Sequence, residues 1–338
     1  MSVVDSATTS DLRALVERPG PFITALIPAK SDVFGAAERM ITQAKTALRD
    51  APDAWADDIE VMKEEIAGLA HGDGAAIIAI RPLGGPSFYE FVDDAVHGPS
   101  MSIGPLPRLA PLIEARQRTI AHVVVETDLA GATITAFDGG DVTIREEVEG
   151  NTDVIHRGHP GGWSQRRFQQ RTENSWDENA RDVADAVHDV ATAVDARLVL
   201  IAGPTRASTM LVSLLESLDL PVHLLEAGSV DGIADEIVRR VADVQASDTK
   251  AVLDEAKERI EHRAVSAAHV TSALSKGRVR TLLVHDAGDE IGTTESDDIG
   301  DARLVDRCIA EALTTDAEIR VVPRVALLDD DVAAILRW

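Results

Sequence analysis

The sequence predicts a mixed α/β chain, α/β with α+β character, divided into three domains. Three observations carry that reading. At 338 residues the chain exceeds what one hydrophobic core ordinarily organises. Hydrophobic residues make up 45% of it but aromatics only 3%, so its cores are built from Val, Leu, Ile and Ala, the residues of α/β layers. Short apolar runs of strand length alternate with segments of helical spacing along the whole chain.

The N-terminal domain, 1–116, mixes both element types. Asp11–Glu17 reads as a short helix stopped by Pro19-Gly20, and Phe22–Ile27 as a strand between Pro21 and Pro28. Ala36–Arg49 and Asp57–Leu69 have helical spacing, the second through Ile59, Met62, Ile66 and Leu69. His71–Gly74 is a turn; Ala75–Ile80 and Ser87–Val92 read as strands. The G-P-L-P-R run Gly104–Arg108 is the linker signal of the first half and predicts a protease-accessible site.

The second domain, 117–230, begins with Ala121–Glu126, Ala132–Phe137 and Val142–Val148, three strands joined by short turns and therefore an antiparallel meander. A loop follows, then a helix with Trp176, Ala180, Val183, Val187, Val190 and Val194 spaced four, three, four, three and four, one continuous apolar stripe. Trp176 reads as a core residue of that stripe. Arg197–Ala202 is a strand, Thr209–Leu218 a helix and Val222–Leu225 a strand. The order β-β-β-α-β-α-β resembles an RNase H-like layout, with a meander followed by parallel strands and crossover helices.

The remainder, 231–338, opens with a long charged helical connector, Asp231–His262. A helix (Val265–Leu274), a strand (Arg280–His285), an acidic loop (Asp286–Asp298), a helix (Ala302–Leu313), a strand (Glu318–Val322) and a final helix (Val332–Leu336) then predict a small α/β/α sandwich.

Composition narrows the function classes. The single cysteine, Cys308, excludes an intrachain disulfide and a cysteine zinc site and fits a reducing compartment; the R-C-I-A-E-A-L context places it in a helix core. The first residues lack a basic start with an apolar run, and no apolar stretch approaches membrane-span length, which predicts a soluble, cytoplasmic protein without a membrane partner. A formal net charge of -25 argues against indiscriminate nucleic-acid binding, DNA included, and makes any local basic contact selective.

Against that background one stretch reverses sign. Val154–Thr172, V-I-H-R-G-H-P-G-G-W-S-Q-R-R-F-Q-Q-R-T, holds four arginines (Arg157, Arg166, Arg167, Arg171) and two histidines (His156, His159) and no carboxylate. A basic, glycine-rich loop running into a helix suits a polyanion, because backbone N–H groups and guanidinium forks both reach phosphate. Gly161 and Gly162 allow close backbone approach, and Trp163 can stack on an unpaired base, worth about 1–3 kcal/mol. The bland alternative is a solvated basic surface loop. His156 and His159 form H-x-x-H without a neighbouring carboxylate, which favours charge tuning over a metal site. Glu126 and Asp128 stand at the end of the first meander strand, where a two-metal nuclease would need more carboxylates than these two. Ser164 has no evident base partner. No G-x-G-x-x-G and no Gly-Lys phosphate loop occurs. No metal, cofactor or catalytic residue is assigned.

The run G-G-W-S-Q-R-R-F resembles the central-domain motif of the eukaryotic and archaeal class-1 release factors and Pelota, which in release factors reads G-G-Q-S-A-x-R-F before a long helix. Gly161, Gly162, Ser164 and the Arg167-Phe168 pair match it, and the order of meander, loop and long helix matches as well. The resemblance extends over the whole chain and implies a third domain of the kink-turn-binding ribosomal-protein type, with the A-A-I-L-R-W ending in place. It is closest to the bacterial branch of that family, the actinobacterial homologues of the ribosome hibernation factor Balon. Two departures stand out. Trp163 occupies the position of the hydrolytic glutamine, with Gln165 two residues later, and the N-terminal domain has no Asn-Ile-Lys-Ser codon-reading motif.

The resemblance thus implies a ribosome-binding hibernation or translation factor rather than an enzyme. It would occupy the A site of the 70S ribosome and bring the loop near the peptidyl-transferase centre without hydrolysing peptidyl-tRNA. Its implied partners are rRNA, a P-site tRNA and elongation factor Tu. The contact residues would be His156, Arg157, His159, Gly161, Gly162, Trp163, Ser164, Gln165, Arg166, Arg167 and Arg171. One alternative is a peptidyl-tRNA hydrolase or rescue factor using Gln165; another is an RNA-binding or stress protein of this fold without a ribosomal role.

Overall fold

The computed structural model describes residues 6–28, 53–68, 76–92, 100–138, 141–150, 164–225, 230–286, 302–328 and 330–338. They form three sheets in two compact units, residues 118–248 and residues 1–117 with 249–338. The expected helix Ala36–Arg49, the turn at His71–Gly74 and the acidic loop beyond Asp286 lie outside the described residues.

In the larger unit, α1 (Ser6–Val16) precedes β1 (Phe22–Pro28), α2 (Asp53–Gly68), β2 (Ala76–Pro82), β3 (Phe88–Val92) and β4 (Ser100–Gly104). The four strands pair antiparallel in the order β3-β2-β1-β4. Alternation along β1 and β2 feeds two cores. Ile23, Ala25, Ile27, Ile77 and Ala79 meet Ile59, Met62 and Ile66 of α2, while Phe22, Leu26, Ile78 and Ile80 point the other way, among Leu12 and Leu15 of α1.

Gly104–Arg108 is not an exposed linker. Pro107, Arg108 and Leu109 are buried and lead into α3 (Ala110–Arg118). The guanidinium of Arg108 donates to both carboxylate oxygens of Asp286, at 2.8 to 3.1 Å, with the two side chains 5% and 1% exposed. Its backbone N–H donates to the Thr24 hydroxyl. The prolines read as a linker signal, but a buried ion pair to a residue 178 positions away holds the segment in the core.

That pair belongs to the joint between the N-terminal and C-terminal segments, drawn apart in the sequence at 1–116 and 231–338. The sheet of the latter has the order β10-β13-β11-β12, from β10 (Arg263–Ala264), β11 (Val279–Val284), β12 (Glu318–Val321) and β13 (Val332–Leu336). One face, with Leu282, Val284 and Ala334, carries α7 (Ala267–Leu274) and α8 (Leu304–Thr314) and shares a single core with α1, α3 and the first sheet. Gln117 adds a polar joint: its side-chain amide donates to Ile319 O and accepts from Val321 N, so it pairs with β12 as a short strand would. Arg13 caps the C-terminal end of α8 through Leu313 O. The opposite face, with Leu283, Ala333 and Ile335, packs on Val252, Leu253 and Ala256. Helices thus cover both faces, as an α/β/α sandwich requires.

Val332–Leu336, expected as a final helix, is instead strand β13, seated between β10 and β11. V-A-A-I-L is a short continuous apolar run buried on both faces, and periodicity does not separate strand from helix in a run of that kind.

Cys308 lies fully buried on α8, and burial pushes its thiol up to about 11. The native protein will therefore leave Ellman's reagent unreacted at pH 8, and one thiol will titrate after unfolding in guanidinium. Rapid reaction of the native thiol would contradict this packing.

In the unit 118–248, the meander β5 (His122–Thr127), β6 (Gly131–Asp138) and β7 (Asp141–Glu149) is followed by α4 (Ser164–Ala193), β8 (Leu198–Ala202), α5 (Thr205–Leu214) and β9 (Val222–Leu224). The strand order is β7-β6-β5-β8-β9, antiparallel through the meander and parallel from β5 through β8 to β9. The element order β-β-β-α-β-α-β and the meander are those the sequence predicts. Val123, Val125, Val199 and Ile201 meet Val183, Val187 and Val190 of α4. On the other face, Val124, Leu198 and Leu200 meet Ile233, Ile237, Val241 and Val244. Those four lie in α6 (Val230–Glu258).

Candidate functional site

The basic stretch leaves the sheet at the end of β7 and returns as α4. His156, Arg157, His159, Gly161, Gly162 and Trp163 lie outside the described residues. Ser164, Gln165, Arg166, Arg167 and Arg171, expected in a loop that reached Thr172, belong to the first two turns of α4 instead. The physical reason is propensity: once past the glycine pair, Q-R-R-F-Q-Q-R consists almost wholly of good helix formers. No acidic residue stands in the first turn of this helix. Arg166 and Arg167 therefore add positive charge where the helix dipole is already positive, which costs helix stability and favours an anion.

The point of departure is built tightly. Asp128 Oδ1 accepts from Ala130 N at 2.6 Å and from Gly131 N at 2.9 Å, closing the β5–β6 turn. The Thr127 hydroxyl donates to Gly131 O. Gly131 lies against β7 so closely that a Cβ would come within 2.1 Å of Val148 O. Gly150, the last described residue before the basic stretch, donates its N–H to Ala130 O at 2.6 Å. A Cβ on Gly150 would meet Asn179 Cγ at 2.3 Å and Ala130 O at 2.4 Å. Asn179, on α4 and 3% exposed, donates from Nδ2 to Leu129 O at 3.2 Å.

Further features of α4 depart from the expected stripe. Val183, Val187 and Val190 are buried, but Trp176 is half-buried, with the Arg206 guanidinium 4.3 Å above its ring centroid. A cation over indole is a specific contact, and α5 thereby grips α4 nearly five turns before its end. Sequence spacing marks Trp176 as apolar; it carries no sign of the cation, because Arg206 is thirty residues on. Asn179 and Gly150 were likewise missed, each being an ordinary polar or turn residue in isolation.

Glu126 and Asp128 line an open cleft of about 770 Å³ at the ends of β5 and β8, together with Glu147 and Glu149. Asp128 is occupied in its turn, and no group of three or more His, Cys, Asp or Glu among the described residues is placed to hold a metal ion. Four carboxylates repel phosphate, so the cleft does not suit a polyanion. His122 is a packing residue: it stacks on Phe137 at 4.9 Å, contacts Ile120 O through Nδ1, and burial lowers its pKa. No helix among the described residues is long and apolar enough to cross a membrane.

Residues 121–262 match the family described as bacterial archaeo-eukaryotic release factor family 2. The family match opens at the first meander strand, contains the whole basic stretch and runs to the end of α6. Comparison with curated proteins finds no match. Similar solved structures include Dom34 of S. cerevisiae, "a translation termination-like factor involved in RNA quality control pathways and interacting with Hbs1". It is 13% identical, with 75% of this chain and 73% of that chain covered and a TM-score of 0.41. Pelota of Archaeoglobus fulgidus is 14% identical over 78% and 79% of the two chains, with a TM-score of 0.34. An archaeal Pelota from a model of the ribosome-bound protein with ABCE1 is 14% identical over 100% and 95%, with a TM-score of 0.39.

Proposed function

We propose that this protein is a ribosome-binding factor that occupies the A site of the 70S ribosome, brings Gly161-Gly162-Trp163 near the peptidyl-transferase centre, and protects idle ribosomes without hydrolysing peptidyl-tRNA. The observation that carries the reading is the release factor-family match over residues 121–262, the segment that contains the chain's basic stretch. The charge pattern supports it: an acidic chain with one carboxylate-free, arginine-rich stretch makes a selective contact with folded RNA. Elongation factor Tu and a P-site tRNA are proposed as co-partners of the same state, and hibernation as its occasion. Co-sedimentation of the purified protein with 70S particles tests the proposal; protein that stays at the top of the gradient under low salt removes it.

Absence of hydrolysis follows from Trp163. Release chemistry needs a water held in line with the ester carbonyl, and positioned groups of that kind carry large rate factors. An indole has one donor on a rigid ring and no acceptor; it can fill and stack but does not position a nucleophile. Gln165 is the residue that would serve the hydrolase reading. Its backbone lies in the first turn of α4, so moving it two positions toward the glycine pair requires that turn to unwind. Incubated with ribosomes holding labelled peptidyl-tRNA, wild type and Gln165→Ala will both bind without turnover. Turnover by wild type that disappears in Gln165→Ala would establish the hydrolase instead.

A further inference from the structure

We infer that one end of the C-terminal sheet, where β10 and β11 begin and β13 finishes, is a second RNA contact. It takes an unpaired strand, with Trp338 as a platform for a base and Arg263, Lys276, Arg278 and Arg337 toward the phosphates. The inference deepens the proposed ribosome binding and rests on it for the source of the RNA. Its starting point is charge. Asp and Glu outnumber Lys and Arg by 58 to 33 in this chain, and other arginines of this segment meet carboxylates: Arg280 at Glu255, Arg303 at Asp286, Arg320 at Glu318. The run from His262 to His285 nevertheless has no Asp or Glu. Among the described residues, its Arg263, Lys276 and Arg278, and Arg337 with them, bond to backbone carbonyls or a hydroxyl and form no ion pair with an Asp or Glu.

The fold gathers these four. β13 lies between β10 and β11, so that Arg263 stands opposite Ile335 and Val279 opposite Leu336. Arg337 N donates to Arg278 O at 2.8 Å, and Arg278 Nη2 donates to Trp338 O at 3.2 Å. Gly277, at φ +62°, and the bonds from Gly277 N to Leu274 O and Arg278 N to Ala273 O turn the chain out of α7 and hold Lys276 beside the same rim. Lys276, Arg337 and Trp338 are exposed, Trp338 at 62%. Part of the charge serves helix ends: Arg337 Nη2 donates to Thr315 O and Asp316 O beyond α8, and Arg263 Nη1 to Ala256 O in the last turn of α6. Each uses one nitrogen of a guanidinium, whose fork has more donors than that. Two acids stand near, Asp316, which Arg13 holds, and Glu261. Capping accounts for cations at this rim but not for a large exposed indole among them, in a chain with 3% aromatics. An acidic protein surface would use the charge alone. Single-stranded RNA uses both, its phosphates on the cations and a base face on the indole.

The test uses the full chain and a fluorescein-labelled oligouridine at low salt, read by anisotropy. Lys276→Gln with Arg278→Gln will weaken binding about tenfold and lower the slope of log affinity against log salt by about 0.7 for each contact removed. Trp338→Ala, a change at an exposed residue that keeps the fold, will also weaken binding about tenfold but leave the salt slope unchanged, since an indole neutralises no phosphate. Both losses will be of the same size when Arg166→Glu and Arg167→Glu are already present, because the two contacts are separate. A wild type that ignores oligouridine, or rim variants that bind it as tightly as wild type, overturns the inference. So does poly-glutamate that competes as well as RNA at equal charge while Trp338→Ala has no effect, which marks an acidic protein as the occupant. If the wild type does not sediment with 70S particles, the proposed function falls by itself, and the oligouridine titrations still decide whether this rim binds RNA.

Discussion

Asp286→Ala will destabilise the unit of residues 1–117 and 249–338 by about 3–5 kcal/mol, the cost of breaking a buried ion pair from one side. The Asp286 side chain is 1% exposed and takes two guanidiniums, the full fork of Arg108 and one arm of Arg303 at 3.2 Å. Its loss leaves Arg108, itself 5% exposed, a buried charge without this carboxylate. For a unit of this size that corresponds to a fall in melting temperature of about 10 °C. The paired replacement Arg108→Leu with Asp286→Leu removes both charges and will cost much less, since apolar substitutes for a buried pair are often neutral. Urea melts of the single and double variants check both halves. A single variant within about 1 kcal/mol of wild type would mean that the pair is hydrated in solution and does not lock the N-terminal and C-terminal segments together.

Arg166→Glu combined with Arg167→Glu will weaken ribosome association by at least tenfold, about one order of magnitude, and will lower the slope of log affinity against log salt by about 2, one for each lost phosphate contact. Melting temperature will hardly change or will rise, because two carboxylates in the first turn of α4 suit the helix dipole and two arginines do not. That combination of weaker binding with an undiminished fold separates a contact role from a structural one. Unaltered affinity with an unaltered salt slope would remove the basic stretch as the anchor of the proposed complex.

Much of the fold is legible in residue patterns because strands such as β1, β2 and β8 are buried on both faces and the helices on one. F-I-T-A-L-I, A-A-I-I-A-I and R-L-V-L-I-A are apolar runs bounded by proline, glycine or charge, and each forms a strand within a residue or two of its reading. The stripe through Val183, Val187 and Val190 needs only helical spacing to be seen. Where local signals are ambiguous, tertiary context decides. V-A-A-I-L becomes a strand because β10 and β11 leave a place between them. G-P-L-P-R becomes core because Asp286 pairs with Arg108 from across the chain.

The basic stretch illustrates the same division at the candidate site. Sequence alone determines its charge, its freedom from carboxylates, its glycine pair and its tryptophan, since these are properties of covalent structure and composition. The α/β class and the β-β-β-α-β-α-β order of the central elements follow likewise from period and turn chemistry, which are local. Only the tertiary structure decided that α4 begins at Ser164, that Asp128 closes a turn, that Arg206 covers Trp176, and that Gly150 and Asn179 meet on one turn. The physical reason is range. Hydrogen bonds, ion pairs and cation–π contacts act over a few ångströms between residues tens or hundreds of positions apart, and no local pattern in the chain encodes which of them will meet.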